Sequence, residues 1–312
     1  MPTYEPDPNH IREAVESVIN QTERDWTLII HDDASKAHVK AMIDEFLWDP
    51  RITFSRSKKR LGIGGNWNAC LKKATAPYVQ YLFQDDAWET TYLEKSIAAL
   101  DSEPSVGLVA VGHHYQFDAH DSVPGTQMPS IYHEVLAEQL LLTAGIQNGP
   151  NFVLTWAEKG LRPNIVGEPS FVMIRTVVAN AAGPFREDLP QGLDIEYWIR
   201  LLCRSDIFII KDHLGFFRVH EKAASSQNNN AGAGLTDRLR CFEVLVANTP
   251  DTQKKKRAKA AARKALQHMM AKYFHRTRAG GGTGGLDKKF LAKFCLRHPL
   301  MVTRALLKSR GN

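Results

Sequence analysis

The chain has 312 residues, of which 43% are hydrophobic and 24% are charged, and its formal net charge is +6. This composition is typical of a soluble globular protein with one large or two modest domains. No run approaches the roughly 18 apolar residues of a membrane span, which argues against a membrane-spanning protein. There is no signal-peptide pattern, and the four cysteines lack metal-ligand spacing. We therefore expect a cytoplasmic protein with reduced thiols.

The charge is unevenly distributed along the chain. Residues 251–312 contain 17 Lys or Arg but only Asp251 and Asp287, a balance of +15. The first 250 residues therefore hold 40 − 17 = 23 basic and 34 − 2 = 32 acidic residues, a balance of −9. A mildly acidic body thus carries a strongly basic C-terminal segment. Such a segment usually meets anionic lipid, nucleic acid or solvent.

Helix and strand patterns alternate in the N-terminal part of the chain. An amphipathic helix is predicted over residues 9–20, followed by a strand at 26–30, a helix at 37–47 and a strand at 52–55. This alternation predicts an α/β fold with a mostly parallel central sheet flanked by helices. The chain opens at the turn-like Pro2 with no strand before it, so the first strand looks truncated.

The sequence YVQYLFQDDAW at residues 78–88 predicts a buried strand that ends at Asp85 and Asp86. In sheets of this class, ligands bind beyond the carboxyl ends of the strands. Adjacent carboxylates repel each other unless a cation neutralises them, so the pair suggests Mg²⁺ or Mn²⁺ shared with substrate phosphates. The alternative is structural, with Asp85 in a turn and Asp86 capping the next helix.

Two further polar segments have more than one interpretation. The basic, Gly-rich loop 57–68 lacks the third glycine of a dinucleotide fingerprint, because position 67 is Trp67. This loop either contacts phosphates or is a solvated charged face. A zinc site at His113, His114 and His120 is disfavoured, because no carboxylate or cysteine lies at ligand spacing.

Two candidate site residues lie in the second half of the body. Residues 131–160 look helical, and apolar strands are predicted at 106–111, 171–174 and 208–210. Asp194 lies where the next helix begins. Asp is a common N-cap, and a helix N-terminus also holds a carboxylate rigidly and ionised. Arg218 and His220 share one face of a later strand, where His220 is either a site residue or an ordinary surface residue.

The C-terminal part is predicted to be separate from the body. We place a domain at 1–226, a linker at 227–234 and a basic helical extension at 235–312. For the extension, a solvated helix and peripheral binding to an anionic inner membrane face both stay open. Nucleic acid is disfavoured as a partner, because no aromatic platform accompanies the charge.

Five motifs together resemble the family 2 glycosyltransferases, which are inverting enzymes of the GT-A fold that use nucleotide-diphosphate sugars. No single motif is decisive, but all five occur in the family's order, between about residues 2 and 226. They are PTYEP (2–6), SVINQTERDWTLIIHDDAS (17–35), GGNWNACLKKATAPYVQYLFQDDAW (64–88), GPFREDLPQGLDIEYWIRL (183–201) and RVHEKAAS (218–225).

The resemblance implies a role for each candidate residue in donor binding. The nucleotide would be held by residues of the N-terminal half: Thr3, Tyr4, Glu5, Asp33 and Arg60. Asp85 would lie nearer the ribose or sugar, and Asp86 would bind Mn²⁺ or Mg²⁺ directly. His220 would lie near the diphosphate or the metal. The metal would stabilise the diphosphate as it leaves.

The resemblance also implies the chemistry of the acceptor. Asp194 would be the general base that removes the proton from the attacking hydroxyl. Glu187 and Asp188 are rival bases, ranked lower because DIEYWIRL fits the family's aspartate-started helix better. The acceptor would be a glycan or a lipid-linked sugar, as in cell-surface polysaccharide biosynthesis.

The chain departs from the family at its beginning. The family's first strand precedes the Pro-Thr-Tyr turn, and only the turn is present here, so we expect a late start site or a poorly stable product. The alternative function is a noncatalytic, membrane-associated assembly protein that has kept the fold. A nucleotidyltransferase ranks third, because it would need a Gly-rich, basic loop directly after its first strand.

Overall fold

The structure is a computed structural model that describes residues 1–117, 130–189, 191–219, 234–278 and 288–308. Its strands are β1 (Pro2–Thr3), β2 (Leu28–Asp32), β3 (Ile52–Arg56), β4 (Tyr78–Gln80), β5 (Ala87–Trp88), β6 (Val106–Phe117), β7 (Gly145–Gln147), β8 (Val172–Arg175) and β9 (Asp206–Val219). The body helices are α1 (Pro8–Ile19), α2 (Val39–Met42), α3 (Ile63–Leu71), α4 (Tyr92–Asp101), α5 (Ser130–Leu140), α6 (Gly149–Glu158), α7 (Thr176–Ala182) and α8 (Leu193–Leu202). The C-terminal helices are α9 (Gly234–Asn248), α10 (Thr252–Arg278), α11 (Lys288–Arg297) and α12 (Pro299–Lys308).

The N-terminal sheet is parallel and has the order β1-β2-β3. Its first strand has two residues, and the pairing extends back to Met1, whose amine donates to the Ile29 carbonyl at 2.7 Å. The Met1 carbonyl accepts from the His31 amide at 2.9 Å. The truncated first strand that the sequence suggested is therefore short but regularly paired with β2.

The second sheet is mixed and has the order β4-β8-β6-β9-β5, with β7 added to β9. Among the described strands of this sheet, β6 and β9 pair in parallel and the other ladders are antiparallel. The predicted α/β architecture is confirmed, and the predicted parallel arrangement describes β1 to β3 and the β6–β9 pair. Short apolar strands that are buried on both faces give no sequence signal that separates parallel from antiparallel pairing.

The hydrophobic core consists of two clusters separated by the second sheet. In β6, Leu108 and Ala110 pack into the cluster that contains Trp156 and Trp198. The intervening residues of β6 pack into the other cluster, which contains Ile30 and Tyr92. This period-two alternation buries both faces of the strand. Each fully buried side chain of this size contributes about 1.5–3 kcal/mol.

The prediction of one helical region over 131–160 is wrong in its middle part. Helix α5 ends at Leu140, and β7 separates it from α6. Gly145 has φ +87°, a conformation that favours glycine and interrupts a helix. Asn148 then starts α6 by accepting a hydrogen bond from the Asn151 amide at 3.2 Å. The prediction from apolar periodicity did not take account of the helix-interrupting Gly145 or the N-cap Asn148.

The C-terminal extension packs on the body. Side chains of α9 and α10, including Phe242 and Leu245, belong to the same core cluster as Trp198. Asp237 of α9 is 1% exposed, and its Oδ2 accepts from the amides of Gln191 and Gly192 at 2.8 and 2.9 Å. These amides lie at the beginning of α8, so the extension supplies a partner for that helix N-terminus. No described helix is both long enough and apolar enough to cross a bilayer.

Candidate active site

The N-terminal turn and the end of β2 meet at one edge of the first sheet. The Thr3 carbonyl accepts from the Asp33 amide (2.9 Å) and from the Asn66 side chain (3.1 Å). Asp33 is 2% exposed, and its two carboxylate oxygens accept from the amides of Leu61 and Gly62 at 2.6 and 2.9 Å. Gly62 has φ +83°, which favours glycine. Asp33 therefore fixes the following basic loop to the end of β2.

Tyr4 and Arg60 form a stacked pair at this edge. The guanidinium carbon of Arg60 lies 3.9 Å from the centroid of the Tyr4 ring. The Tyr4 amide donates to Gln84 Oε1 at 2.8 Å, and the Tyr4 carbonyl accepts from Gln84 Nε2 at 3.2 Å. Because Gln84 immediately precedes Asp85, these bonds connect the N-terminal turn to the paired carboxylates.

Glu5 joins the same turn to the segment after β2. Its amide donates to Ser35 Oγ at 2.9 Å, and its carboxylate accepts from the Lys36 amide at 2.6 Å. The Ser35 amide donates to the buried carboxylate of Asp32 at 3.2 Å, and Arg56 Nε lies 3.2 Å from the same group. The turn, the end of β2 and the basic loop thus bring together the residues that the sequence assigned to the nucleotide: Thr3, Tyr4, Glu5, Asp33 and Arg60.

Asp85 and Asp86 follow β4 but have different surroundings. Asp86 is 2% exposed, and it accepts from Ser170 Oγ at 2.5 Å and from the Arg218 amide at 3.1 Å. Burial raises the pKa of Asp86 to about 7. The side chain of Asp85 is 21% exposed, and its Oδ1 lies 3.7 Å from His10 Nδ1. Asp85 is therefore the carboxylate of the pair that a ligand can reach.

Asp194 lies in the first turn of α8 and is connected to the same site. Its Oδ2 accepts from Asn164 Nδ2 at 3.0 Å, and the same Nδ2 also donates to the Gly167 carbonyl at 3.0 Å. Ser170, three residues further on, is the residue that bonds Asp86. The segment 164–170 thus links the two carboxylates. Asp194 is 8% exposed, and burial raises its pKa to about 6.

Glu168 lies in the middle of this segment and was missed from the sequence. Burial, together with the charges of Asp194 and Asp86, raises the pKa of Glu168 to about 8. Within the described part of the chain, its carboxylate has no hydrogen bond or ion pair. Three carboxyl groups from three separate parts of the sequence therefore interact at this site.

An aromatic wall borders Glu168, and we define it as the rings of Tyr115, Phe117 and Tyr132, with the buried His113 packed against Tyr115. The centroids of Tyr115 and Tyr132 are 4.6 Å apart, and those of Phe117 and Tyr132 are 6.0 Å apart. Burial, followed by the charge of Glu168, raises the pKa of both tyrosines. The period-two spacing of three of these residues along β6 was a usable sequence signal, whereas the contact with α5 was not.

The rival bases have other partners. Asp188 pairs with Arg186 at 2.7 Å, and this hydrogen bond lowers the pKa of Asp188. Glu187 is exposed and accepts from Asn68 Nδ2 at 3.1 Å. The two carboxylates thus differ from Asp194, which is buried and has a raised pKa. His220, the other predicted metal residue, lies outside the described residues.

The site offers hard oxygen ligands for a divalent cation. Across the ranges that the structure describes, no three His, Cys, Asp or Glu side chains are arranged as a complete metal site. The carboxylates of Asp85 and Asp86 are the ligand type that Mg²⁺ and Mn²⁺ take, with the remaining positions filled by phosphate oxygens and water. The donor set therefore fits a metal that is shared with the substrate.

The fold has solved counterparts among nucleotide-sugar enzymes. The mannosyltransferase PcManGT from Pyrobaculum calidifontis, solved in complex with GDP-Man and Mn²⁺, matches with a TM-score of 0.58 at 16% identity, over 99% of this chain and 85% of that chain. This likeness establishes the GT-A fold. The family model described as Glycosyl transferase family 2 matches residues 1–157, and the chain belongs to this family of glycosyltransferases. The family and the enzyme class predicted from the motifs are confirmed.

Curated relatives match over longer and shorter stretches. Uncharacterized protein MT1568 of Mycobacterium tuberculosis (strain CDC 1551 / Oshkosh) is 26% identical over 238 residues, which cover 76% of this chain and 72% of the relative. WfgD of Escherichia coli is named UDP-Glc:alpha-D-GlcNAc-diphosphoundecaprenol beta-1,3-glucosyltransferase. It is 31% identical over 100 residues, which cover 32% of this chain and 39% of WfgD, so this match spans about two fifths of that protein.

Proposed function

We propose that this glycosyltransferase moves a sugar from a nucleotide-diphosphate sugar to a glycan or lipid-linked acceptor, with inversion at the anomeric carbon. The observation that carries the proposal is the link between the paired carboxylates and Asp194. Ser170 bonds Asp86 at 2.5 Å, and Asn164 of the same segment bonds Asp194 at 3.0 Å. A base held this near the phosphate side can face a hydroxyl that attacks the donor sugar.

Asp194 would act as the general base. With a pKa of about 6, its carboxylate is mostly ionised at pH 7 and can take the proton of the acceptor hydroxyl. The acceptor oxygen forms the new bond to the anomeric carbon while the bond to the nucleotide diphosphate breaks on the opposite face. One such displacement inverts the configuration. Asn164 would orient the base by holding Oδ2.

The nucleotide would bind at the N-terminal turn. The stacked Tyr4–Arg60 pair offers an aromatic ring and a cation at the edge where β1 and β2 end. Asp33 already accepts two backbone amides, so we assign it the task of holding the loop under the nucleotide. A nucleotide-diphosphate sugar as donor is supported by the GDP-Man bound to PcManGT and by the UDP-Glc in the name of WfgD.

From the sequence, Asp86 was expected to bind the metal. We now assign the metal contact to Asp85 instead. Asp86 is 2% exposed and has both oxygens in hydrogen bonds, whereas the side chain of Asp85 is 21% exposed. When bound, Mg²⁺ or Mn²⁺ would supply Lewis-acid stabilisation of the leaving diphosphate. Asp86 would position Ser170 and β9 around it. The Mn²⁺ in the PcManGT complex supports this cofactor, and a role for His220 stays a prediction.

The acceptor would bind against the aromatic wall. Sugar rings pack on aromatic faces, and their hydroxyls donate to carboxylates such as Glu168. Both features lie beside the proposed base, because the charge of Asp194 acts on Glu168 and that of Glu168 acts on Tyr115 and Tyr132. A lipid-linked acceptor is supported by the name of WfgD, which specifies a diphosphoundecaprenol-linked sugar.

Two measurements on the full chain test the proposal. A thermal-shift screen of nucleotide sugars with and without Mn²⁺ should show one donor that stabilises the protein strongly only with the metal. Proton NMR of the product formed from that donor should show inverted anomeric configuration. Retention of configuration, or donor binding that is the same with and without the metal, would contradict the mechanism. Donor binding without turnover on any acceptor would favour the noncatalytic assembly protein.

A further inference from the structure

Helices α11 and α12 follow each other with a break at His298, and together we call them the surface helix (288–308). The His298 amide donates to the Phe294 carbonyl at 3.0 Å, which closes α11, and the His298 carbonyl accepts from the Val302 amide at 3.1 Å, which opens α12. Pro299 is the first residue of α12, a position where a proline removes no helical hydrogen bond. The exposed face is therefore identified for each of the two helices separately.

One side of the surface helix is attached to the body. Phe294 is 0% exposed and belongs to the main core cluster. Helix α12 packs along α10, and Arg297 lies 3.2 Å from Glu243 of α9. Each of the two helices thus has an inner side that is packed on the protein.

The outer side carries three leucines that face solvent. Leu296, Leu300 and Leu307 are 82%, 77% and 61% exposed. A leucine that is exposed to this extent leaves most of its apolar surface in water, and three such leucines lie close together in sequence on two consecutive helices. They account for three of the nine large hydrophobic side chains that are exposed in the described residues, and no other described element carries as many. Such a concentration indicates a surface that is covered in use.

Basic side chains share the same face. At about 100° per residue, the exposed Lys289 and Lys293 fall with Leu296 into an arc of about 60° on α11. The exposed Arg304 falls with Leu300 and Leu307 into an arc of about 60° on α12. Residues 288–308 contain six Lys or Arg and no Asp or Glu. The neighbouring α10 contains ten Lys or Arg and no acidic residue. The leucine face is therefore surrounded by positive charge.

This combination selects one kind of partner. Phosphates of nucleic acid would pair with the lysines but give the leucines nothing apolar to contact. A second copy of this chain would bring two strongly basic surfaces together, and their repulsion would oppose association. An anionic bilayer satisfies both features, because leucines enter the boundary of headgroups and acyl chains while Lys and Arg meet lipid phosphates.

We propose that the surface helix lies flat on an anionic membrane, with Leu296, Leu300 and Leu307 inserted and the lysines at the headgroups. The attachment is non-covalent and reversible. It stands apart from the proposed catalytic function, since none of these side chains touches the candidate active site. The sequence suggested membrane binding only from charge, and the structure supplies the face that would make the contact.

The test is flotation of the full chain with vesicles of phosphatidylcholine alone or mixed with phosphatidylglycerol. We expect binding to the mixed vesicles only, with partial loss at about 0.5 M NaCl, because salt screens the charge but leaves the leucines. The variant L296S/L300S/L307S should bind about tenfold or more weakly. The matched control is L140S/L141S, two leucines that are 71% and 74% exposed on α5 and after it, and it should bind like the unchanged protein.

Several results would overturn the proposal. Equal binding of the triple variant and the control would show that the three leucines do not contribute to vesicle binding. Failure of the unchanged protein to bind the mixed vesicles would exclude an anionic membrane as the partner of this surface. Light scattering that shows a dimer without vesicles, lost in the triple variant, would assign the face to a second copy. Tight oligonucleotide binding that the triple variant retains, together with absent vesicle binding, would assign the charge to nucleic acid.

Discussion

The carboxylates on the two sides of the candidate active site differ in their surroundings and in their pKa values. On the donor side, Glu5 and Asp33 accept backbone amides, and Asp32 accepts an amide and pairs with Arg56. On the side of the proposed base, which we call the acceptor side, Asp86 and Asp194 are buried, Glu168 is half-buried near them, and their pKa values are raised to about 7, 6 and 8. The donor-side carboxylates are held by backbone amides, whereas on the acceptor side the negative charges of Asp86 and Asp194 raise the pKa of Glu168.

This difference separates preorganisation from reactivity. Backbone amides that satisfy a carboxylate fix a loop in one conformation, so the donor side is shaped before any ligand arrives. Closely spaced carboxyl groups that are shielded from water favour a proton or a positive ligand, so the acceptor side is suited to take up a proton or to interact with a metal. The predictions below test this division, from the largest expected effect to the smallest.

Asp194→Asn should reduce sugar transfer by about a thousandfold while donor affinity stays the same. The amide keeps the size of the side chain but cannot take a proton, and general bases contribute about 10²–10⁴-fold. Transfer kinetics and donor titration measure the two quantities. Asp188→Asn is the matched control, because Asp188 is 53% exposed and already paired with Arg186. A comparable loss of transfer rate in both variants would show that Asp194 is not the general base.

Asp85→Ala should weaken metal-dependent donor binding by about a hundredfold, which corresponds to about 2.7 kcal/mol. The reason is that Asp85 is the accessible oxygen ligand of the pair. Calorimetric titration of the donor with and without Mn²⁺ measures the change, with the exposed Asp25→Ala as control. If Asp85→Ala binds donor normally and Asp86→Asn does not, the metal contact belongs to Asp86 instead.

The pH dependence of kcat/KM should report the ionisation of Asp194. Its pKa is raised to about 6, and the base works only when ionised. The rate should therefore be constant above pH 7 and fall about tenfold per unit below pH 6. A rate profile at saturating metal and acceptor, from pH 5 to 8, measures this limb. A limb centred near pH 4 would mean that the working base is a solvated carboxylate.

Glu168→Gln should stabilise the metal-free protein at high pH. Because the pKa of Glu168 is raised from 4.5 to about 8, the folded state binds more protons than the unfolded chain between these two pH values. Stability is therefore lost as pH rises through 8, and a neutral amide avoids the loss. We expect Tm to rise by about 2–4 °C at pH 8.5 and not at pH 4. The exposed Glu187→Gln should change Tm at neither pH.

Motifs pointed to the candidate carboxylates because those residues come with a local sequence signature. Asp85 and Asp86 end an apolar segment, and Asp194 begins a helix with a clear apolar face, so strand and helix patterns pointed to them. The grouping of Thr3, Tyr4, Glu5 and Arg60 came only from resemblance. Nothing in their local sequence indicates that Gln84 holds Tyr4 across 80 residues.

The acceptor side could not be predicted from the sequence for the same physical reason. Segment 164–170 has neither helix nor strand periodicity, and Glu168 matters only because the fold brings it beside carboxylates that are 82 and 26 residues away in sequence. Tyr132 gains its place by packing on Tyr115, a contact that periodicity does not encode. The burial of Asp86, which moved the metal assignment to Asp85, also depends on Ser170 from this segment.

The contact between Asp237 and the first amides of α8 connects the C-terminal extension to the helix that carries the proposed base. A truncated protein that ends before α9 would leave the amides of Gln191 and Gly192 without this carboxylate, one turn from the proposed base. The charge of Asp237 also acts on Asp194 itself. A displacement of the extension would therefore be expected to change the surroundings of the proposed base, both through Asp237 and through the core side chains that pack α9 against α8.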